Sequence, residues 1–167
     1  SFLGGADFDD RIAGWLSERF EASAGEPLSP DPTVRQRVRD AAENAKITLS
    51  ERSEAKVLLR ALPTTGGHFA DLDATLTRAA CDGLVLDLVN QTIAMCDVVL
   101  AARDLQRSDM ANVVMVGGQT YMPLVQRLVA EAFGLVPDRR FPPEQAVALG
   151  AAQLARSSVQ RALSQAA

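Results

Sequence analysis

The chain has 167 residues, 47% of them hydrophobic and 23% charged, with a formal net charge of −4 and a pI near 5.0. That balance builds one ordinary globular domain or two small lobes. There is no basic stripe, no apolar run that reads as long enough to span a bilayer, and no basic-then-apolar leader, which excludes nucleic-acid and membrane roles from the first reading.

The start, Ser1-Phe2-Leu3, lacks a Met and is apolar at once, which reads as a position inside a longer protein. Gly4-Gly5 and the acidic residues Asp7, Asp9 and Asp10 lead into a helical repeat. Phe8, Ile12, Trp15, Leu16 and Phe20 fall on one face, Asp7 or Asp9 caps the positive end, and Gly25 stops the helix. After the Pro-rich link Leu28 to Pro32, Asp31-Pro32 opens a second helix with Val34, Val38, Ala41, Ala42, Ala45 and Leu49 inward. Glu43, Lys46 and Ser50 stack along another strip of it. On spacing alone, Glu43–Lys46 reads as a weak surface ion pair.

Ala55, Val57, Leu59 and Ala61 alternate with Lys56, Leu58 and Arg60, and Ala70, Leu72, Ala74 and Leu76 fall on one face of a second alternating run. With Pro63-Thr64-Thr65-Gly66-Gly67 between them, these runs predict a hairpin. His68, the single histidine, has no nucleophile or carboxylate at motif spacing and reads as a loop residue. A long helical stretch follows from Thr77-Arg78 to about Leu105, with Thr92 as a candidate bend. Cys81 and Cys96 lie in it, about 22 Å apart at helical rise, too far for a mutual disulfide. They read as buried thiols of a cytosolic protein.

Val113 to Val116 predicts a short buried strand, Gly117-Gly118 a turn, and Pro123 the first turn of a helix bearing Leu124, Val125, Leu128, Val129 and Phe133. Gly134 stops that helix, Val136 to Phe141 suits an edge strand, and Pro142-Pro143-Glu144 opens a last helix. Its small residues, Ala148 to Ala152, suit close packing on a sheet. Arg156 to Ala167 reads as a fraying helix or linker. In an open α/β sheet, ligands bind beyond the carboxyl ends of strands. A Gly pair there exposes bare backbone to a flat or charged ligand, and free N–H groups at a helix start favour anions. A ligand-free turn remains the alternative from these two residues alone.

Six segments in register resemble one family. They are Leu3-Gly4-Gly5-Ala6-Asp7-Phe8-Asp9, Ala41 to Ser50, Leu76-Thr77-Arg78, Val114 to Pro123, Phe133-Gly134, and Pro143 to Ala152. Together they are similar to the second lobe of the ATPase domain of the seventy-kilodalton heat-shock chaperones, the DnaK-type proteins, from Leu3 to about Leu154. The resemblance implies an α/β fold that is part of an actin-like, ribonuclease H-like ATPase. A few helices pack on a small sheet, with an outer α+β subdomain containing the hairpin. The implied organisation is 1–30 as the start of the larger subdomain of the lobe, 31–105 as the outer subdomain, 106–155 as the return to the larger one, and 156–167 as tail.

The same resemblance implies ATP or ADP as ligand. Glu43, Lys46 and Ser50 would lie on its ribose and adenine side. Gly117 and Gly118, with Gln119, would border the adenosine and phosphates. Glu144 stands where an Asp is usual, and Gly4 and Gly5 lie near the cleft floor. Tyr121 replaces an Arg that packs on the adenine, which removes a guanidinium charge. Ala6 replaces a Glu, which weakens contacts between the two lobes. Phosphate loops, catalytic carboxylates and most of the Mg²⁺ ligands are implied to lie upstream of position 1, so this chain alone is expected not to hydrolyse ATP. Other implied partners are a nucleotide-exchange factor on the outer subdomain, and co-chaperones and client peptides through other parts of the parent. The alternative is a divergent interaction module that docks such a factor without ATPase activity. Without upstream strands beside Val113–Val116, self-association or disorder of Met110 to Ala167 is expected.

Overall fold

The computed structural model describes residues 3–138 and 142–165. The elements run α1 (Gly5–Ala24), α2 (Pro32–Glu51), β1 (Glu54–Pro63), β2 (Phe69–Thr77), α3 (Arg78–Ala101), two 3₁₀ turns (Arg107–Asp109 and Gly118–Tyr121), α4 (Pro123–Phe133) and α5 (Ala146–Gln165). β1 and β2 form an antiparallel two-stranded sheet. The result is a helix-rich α/β chain.

The first helix begins as an acid-capped helix should, but only one of the two candidate acids acts there. The Asp7 carboxylate accepts from the Gly4 backbone N–H at 2.7 Å. Asp9 is not a cap. It lies on the inward stripe beside Phe8 and Ile12 and is 7% exposed. Gly25 closes the helix at φ +77°, a region that side chains other than glycine's strain to reach. In α2, Asp31 accepts from the Thr33 N–H at 2.7 Å, with Pro32 in the first turn. Arg78, at the head of α3, reaches back to the far end of α2. Its Nε donates to the Leu49 carbonyl at 2.8 Å and its Nη2 to that of Arg52 at 2.7 Å, satisfying carbonyls that a helix end leaves open.

The core joins Phe8, Ile12, Leu16 and Phe20 of α1 to Val34, Val38, Ala42, Ala45 and Leu49 of α2. Alternate residues of the hairpin and the first half of α3 complete it. The hairpin departs from strict alternation at one point. The register slips between Leu59 and Leu62, Ala61 adopts φ +50°, and Leu62 rather than Ala61 fills the core. A bulge of one residue reverses which side chains face inward. The Asp71 carboxylate accepts the Ala61 N–H at 2.8 Å and so fixes the bulge. The Pro-rich link is tied to the hairpin tip: the Ser29 N–H donates to the Pro63 carbonyl and the Thr65 N–H to that of Pro27.

Several expectations are corrected in the second half of the chain. α3 is one helix to Ala101, without a bend at Thr92, whose hydroxyl donates to the Leu88 carbonyl within the helix. It contains an 18-residue window of mean hydropathy 1.7, so by length and composition it is long and apolar enough to cross a membrane, contrary to the sequence reading. Its first half instead places Cys81, Val85, Leu88 and Val89 in the core. Val113–Val116 is not a buried strand. It makes a single parallel bridge, Val114 to Asp138, and Val114 and Val116 are exposed. A strand needs a neighbour along its length for its N–H and C=O groups, and among the described residues this segment has one bridge. The edge strand expected over Val136 to Phe141 is reduced to that bridge at Asp138, and Arg139 to Phe141 lie outside the described residues.

The last helix begins at Ala146 after a turn over residues 142–145. It does not pack on a sheet: residues 147–158 are exposed, and a Cβ at Gly150 would meet nothing. Met110 to Asp138 nevertheless follows a defined course through two turns and α4, so the disorder expected there is not what the structure shows.

Candidate functional site

One groove of about 1290 Å³ runs between the start of α1, the outer strip of α2, α3, and the turn before α4. Gly4, Gly5, Glu43, Lys46, Ser50, Gly117, Gly118, Gln119, Tyr121 and Glu144 all line it. These ten positions come from four separate parts of the chain. The core packing of α1 on α2 sets two walls, and the turn before α4 supplies the third.

The turn side is built around backbone. Gly117 has φ +92°, so a side chain there would be strained. Its N–H donates to the Pro143 carbonyl at 3.0 Å, and the Thr120 hydroxyl donates to the Gly117 carbonyl at 2.7 Å. Gly118 opens the 3₁₀ turn, and a Cβ on it would meet no protein atom within 4 Å. The Tyr121 hydroxyl donates to Glu144 Oε2 at 2.6 Å. That bond holds the Glu144 carboxyl below its ordinary pKa and pushes the Tyr121 phenol above its own, because it favours carboxylate and neutral phenol together. Tyr121 is 45% exposed, with its ring at the groove wall.

The helix side holds a charge pair that sequence reading missed. Lys46 does not turn to Glu43. Its Nζ lies 2.8 Å from Asp9 Oδ1, with both side chains about nine-tenths buried (12% and 11% exposed). The contact is an ion pair without hydrogen-bond alignment, since Asp9 Oδ1 otherwise has no hydrogen-bond partner. Nζ also donates to the Gly5 carbonyl at 3.3 Å. Gln119 Oε1 is buried without a partner, and it and Lys46 Nζ each stand 3.4 Å from where a Gly5 side chain would begin. Glu43 is exposed, and the Ser50 hydroxyl donates to the Lys46 carbonyl at 3.4 Å. The signal for Asp9 was in the sequence: it shares the inward stripe of Phe8 and Ile12, as Lys46 borders that of Ala42, Ala45 and Leu49. Opposite charges at the edges of two facing apolar stripes are placed to pair.

The groove therefore offers an ammonium, an exposed carboxylate, bare backbone and an aromatic ring. This donor set suits a polar, partly flat ligand with hydroxyls. Among the described residues, no group of three or more His, Cys, Asp or Glu is placed to hold a metal ion.

The Hsp70 protein family model matches residues 1–161. The chain belongs to the Hsp70 family. It is 43% identical over 152 residues to the chaperone protein DnaK of Stenotrophomonas maltophilia (strain R551-3), covering 91% of this chain and 24% of that protein. The chain thus spans about a quarter of the length of the DnaK it matches. Against the Hsp70 pattern noted from the sequence, the three departures all fall in the groove: Ala6, Tyr121 and Glu144 line it.

Proposed function

We propose that this chain is the nucleoside-side half of the ATPase domain of a DnaK-type chaperone, with ATP or ADP in the groove. One observation carries the reading. Ten positions between Gly4 and Glu144, each singled out from sequence, line one groove large enough for a nucleotide. Glu43, Lys46 and Ser50 face the ribose and adenine. Gly117 and Gly118 lie where a flat ligand touches backbone. Tyr121 stands where its ring would stack on a base, held by Glu144. Bound with Mg²⁺, ATP supplies the phosphoryl chemistry, and this chain's residues bind and orient its nucleoside end. Residues 31–105 form the outer subdomain in this reading, the docking surface for a nucleotide-exchange factor. Co-chaperone and client contacts belong to other parts of the parent.

Calorimetry with ADP tests the reading. The chain binds ADP weakly, and both Glu43→Ala and Gly118→Val abolish the heat. Gly118→Val is informative because a Cβ there meets no protein atom within 4 Å, so the fold tolerates the side chain and a loss of binding reports the ligand space it takes. Mutants that bind as well as the parent would remove this site from consideration. With ATP and Mg²⁺ the chain alone gives no turnover above a buffer blank.

Exchange-factor docking without ATPase activity is the second reading, favoured by the hairpin tip, where Phe69 is 72% exposed. It predicts partner binding that survives Glu43→Ala and Gly118→Val and is lost in Phe69→Ser.

A further inference from the structure

The buried pair on the groove's helix side has a consequence for ligand binding. A lysine ammonium has three N–H donors. In this corner Asp9 Oδ1 lies 2.8 Å from Nζ and the Gly5 carbonyl accepts from it at 3.3 Å, while Lys46 also lines the groove. One N–H is therefore donated to the Gly5 carbonyl, Asp9 Oδ1 holds the ammonium by charge without an aligned hydrogen bond, and N–H capacity is left for a ligand. Across the same small space, Gln119 Oε1 is a buried acceptor without a donor. A ligand group that accepts from Lys46 and donates to Gln119 satisfies both, and a hydroxyl does so.

We infer that Asp9 is a positioning residue: it holds the Lys46 ammonium at the groove floor so that its remaining N–H meets a sugar hydroxyl of the ligand. This rests on the nucleotide reading above, but its physical core, that Asp9 fixes Lys46, does not. Without Asp9, the flexible four-carbon stem lets the ammonium swing toward solvent. The pair joins α1 to α2, so a purely structural role is the competing account, and it makes different predictions.

Two readouts on the intact chain separate them. In the first, amine acylation of the ligand-free protein is followed by mass spectrometry. Lys46 in Asp9→Asn is labelled several-fold faster than in the parent, while Lys56, on β1, is labelled at the same rate in both. An unchanged Lys46 rate overturns the inference whether or not nucleotide binds. In the second, calorimetry compares ADP with its 2′- and 3′-deoxy forms. The parent prefers ADP. Asp9→Asn binds ADP about tenfold more weakly, the scale of one charged hydrogen bond, and its preference over the deoxy forms shrinks toward none. A variant whose melting temperature falls while the ADP preference is kept overturns the inference in favour of a structural pair. A parent that binds no nucleotide, with Lys46 labelling still accelerated in Asp9→Asn, defeats the nucleotide reading and supports the positioning role.

Discussion

Residues 5–101 and residues 102–165 are both rich in Val, Leu and Ala, yet those side chains do different things in the two regions. In the first, two helices, a hairpin and half of α3 share one core, and Phe20, Ile12, Leu16, Leu62 and Leu72 are almost wholly buried. In the second, Val114, Val116, Val136, Val147, Leu149 and Leu154 are exposed, and among the described residues the buried ones are Met122 and Leu124, where α4 meets the body, and Pro137. Local signals suffice for a helix, because its backbone bonds are internal. Pro123 and Gly134 bracket α4, and α5 forms although residues 147–158 are all exposed. A strand or an apolar face needs a second surface, and no local signal supplies one.

The largest effect that would sharpen this contrast is a pair of truncations. Phe20→Ala, at a fully buried site, should cost about 3–5 kcal/mol. Val147→Ala, at a site 71% exposed, should stay within about 0.5 kcal/mol. Urea unfolding followed by helix signal measures both. Comparable losses would show that α5 is packed in solution and erase the distinction.

Next comes association. A contiguous apolar surface left open favours contact between copies. The chain should sediment as a concentration-dependent oligomer, and Val114→Lys with Val147→Lys should shift it to monomer. A parent that stays monomeric at the highest concentration reached would mean the exposed valines are too scattered to act as a face.

The same division decides what could be read from sequence. Caps, stops and inward stripes of α1, α2 and the hairpin were legible because each is set by near neighbours: Asp31 and Pro32, Gly25, the alternation around Leu72. The Leu62 bulge was not, since one inserted residue changes the phase without changing the composition. The groove was legible only through the resemblance, because its walls at Gly4, Lys46 and Gly118 are far apart in the chain. Asp9 was misread as a cap candidate because the sequence does not mark where the helix begins; with α1 starting at Gly5, Asp7 alone is the acid of the first turn. Only the phase of Phe8 and Ile12 tells the two apart. The strand at Val113–Val116 was misread because β-branched residues state a preference for pairing, not the presence of a partner.

A smaller effect lies in the first region and depends on pH. The Thr33 backbone N–H bound to the Asp31 carboxylate holds its pKa below the ordinary value of 3.8. The folded state therefore favours the carboxylate, and its contribution is complete above that value and fades as pH falls through the lower folded one. The parent should be more stable than Asp31→Ala at neutral pH, and the gap should close on acidification. Urea midpoints for both proteins along a pH series check this, and a gap that persists unchanged into strong acid would show that the cap acts through something other than its charge.

The smallest effect tests the second region at its best-defined polar contact. Tyr121 is the single tyrosine in the chain, so phenolate absorbance reports it alone. Its hydrogen bond to Glu144 raises the phenol above 10.0, and the same bond lowers Glu144 below 4.5. The contact is therefore complete between those values. It weakens in acid as Glu144 protonates, and in base as pH rises through the raised value for Tyr121. Glu144→Gln should move the phenolate midpoint down toward 10.0, because a neutral amide no longer opposes ionisation. If the parent and Glu144→Gln titrate together, the Tyr121–Glu144 bond is not made in solution, and the Gly117–Pro143 backbone bond is left to join the turn before α4 to the segment before α5. The groove would then lose the side-chain contact made by two of the positions that depart from the family pattern, while the core of residues 5–101 would be untouched.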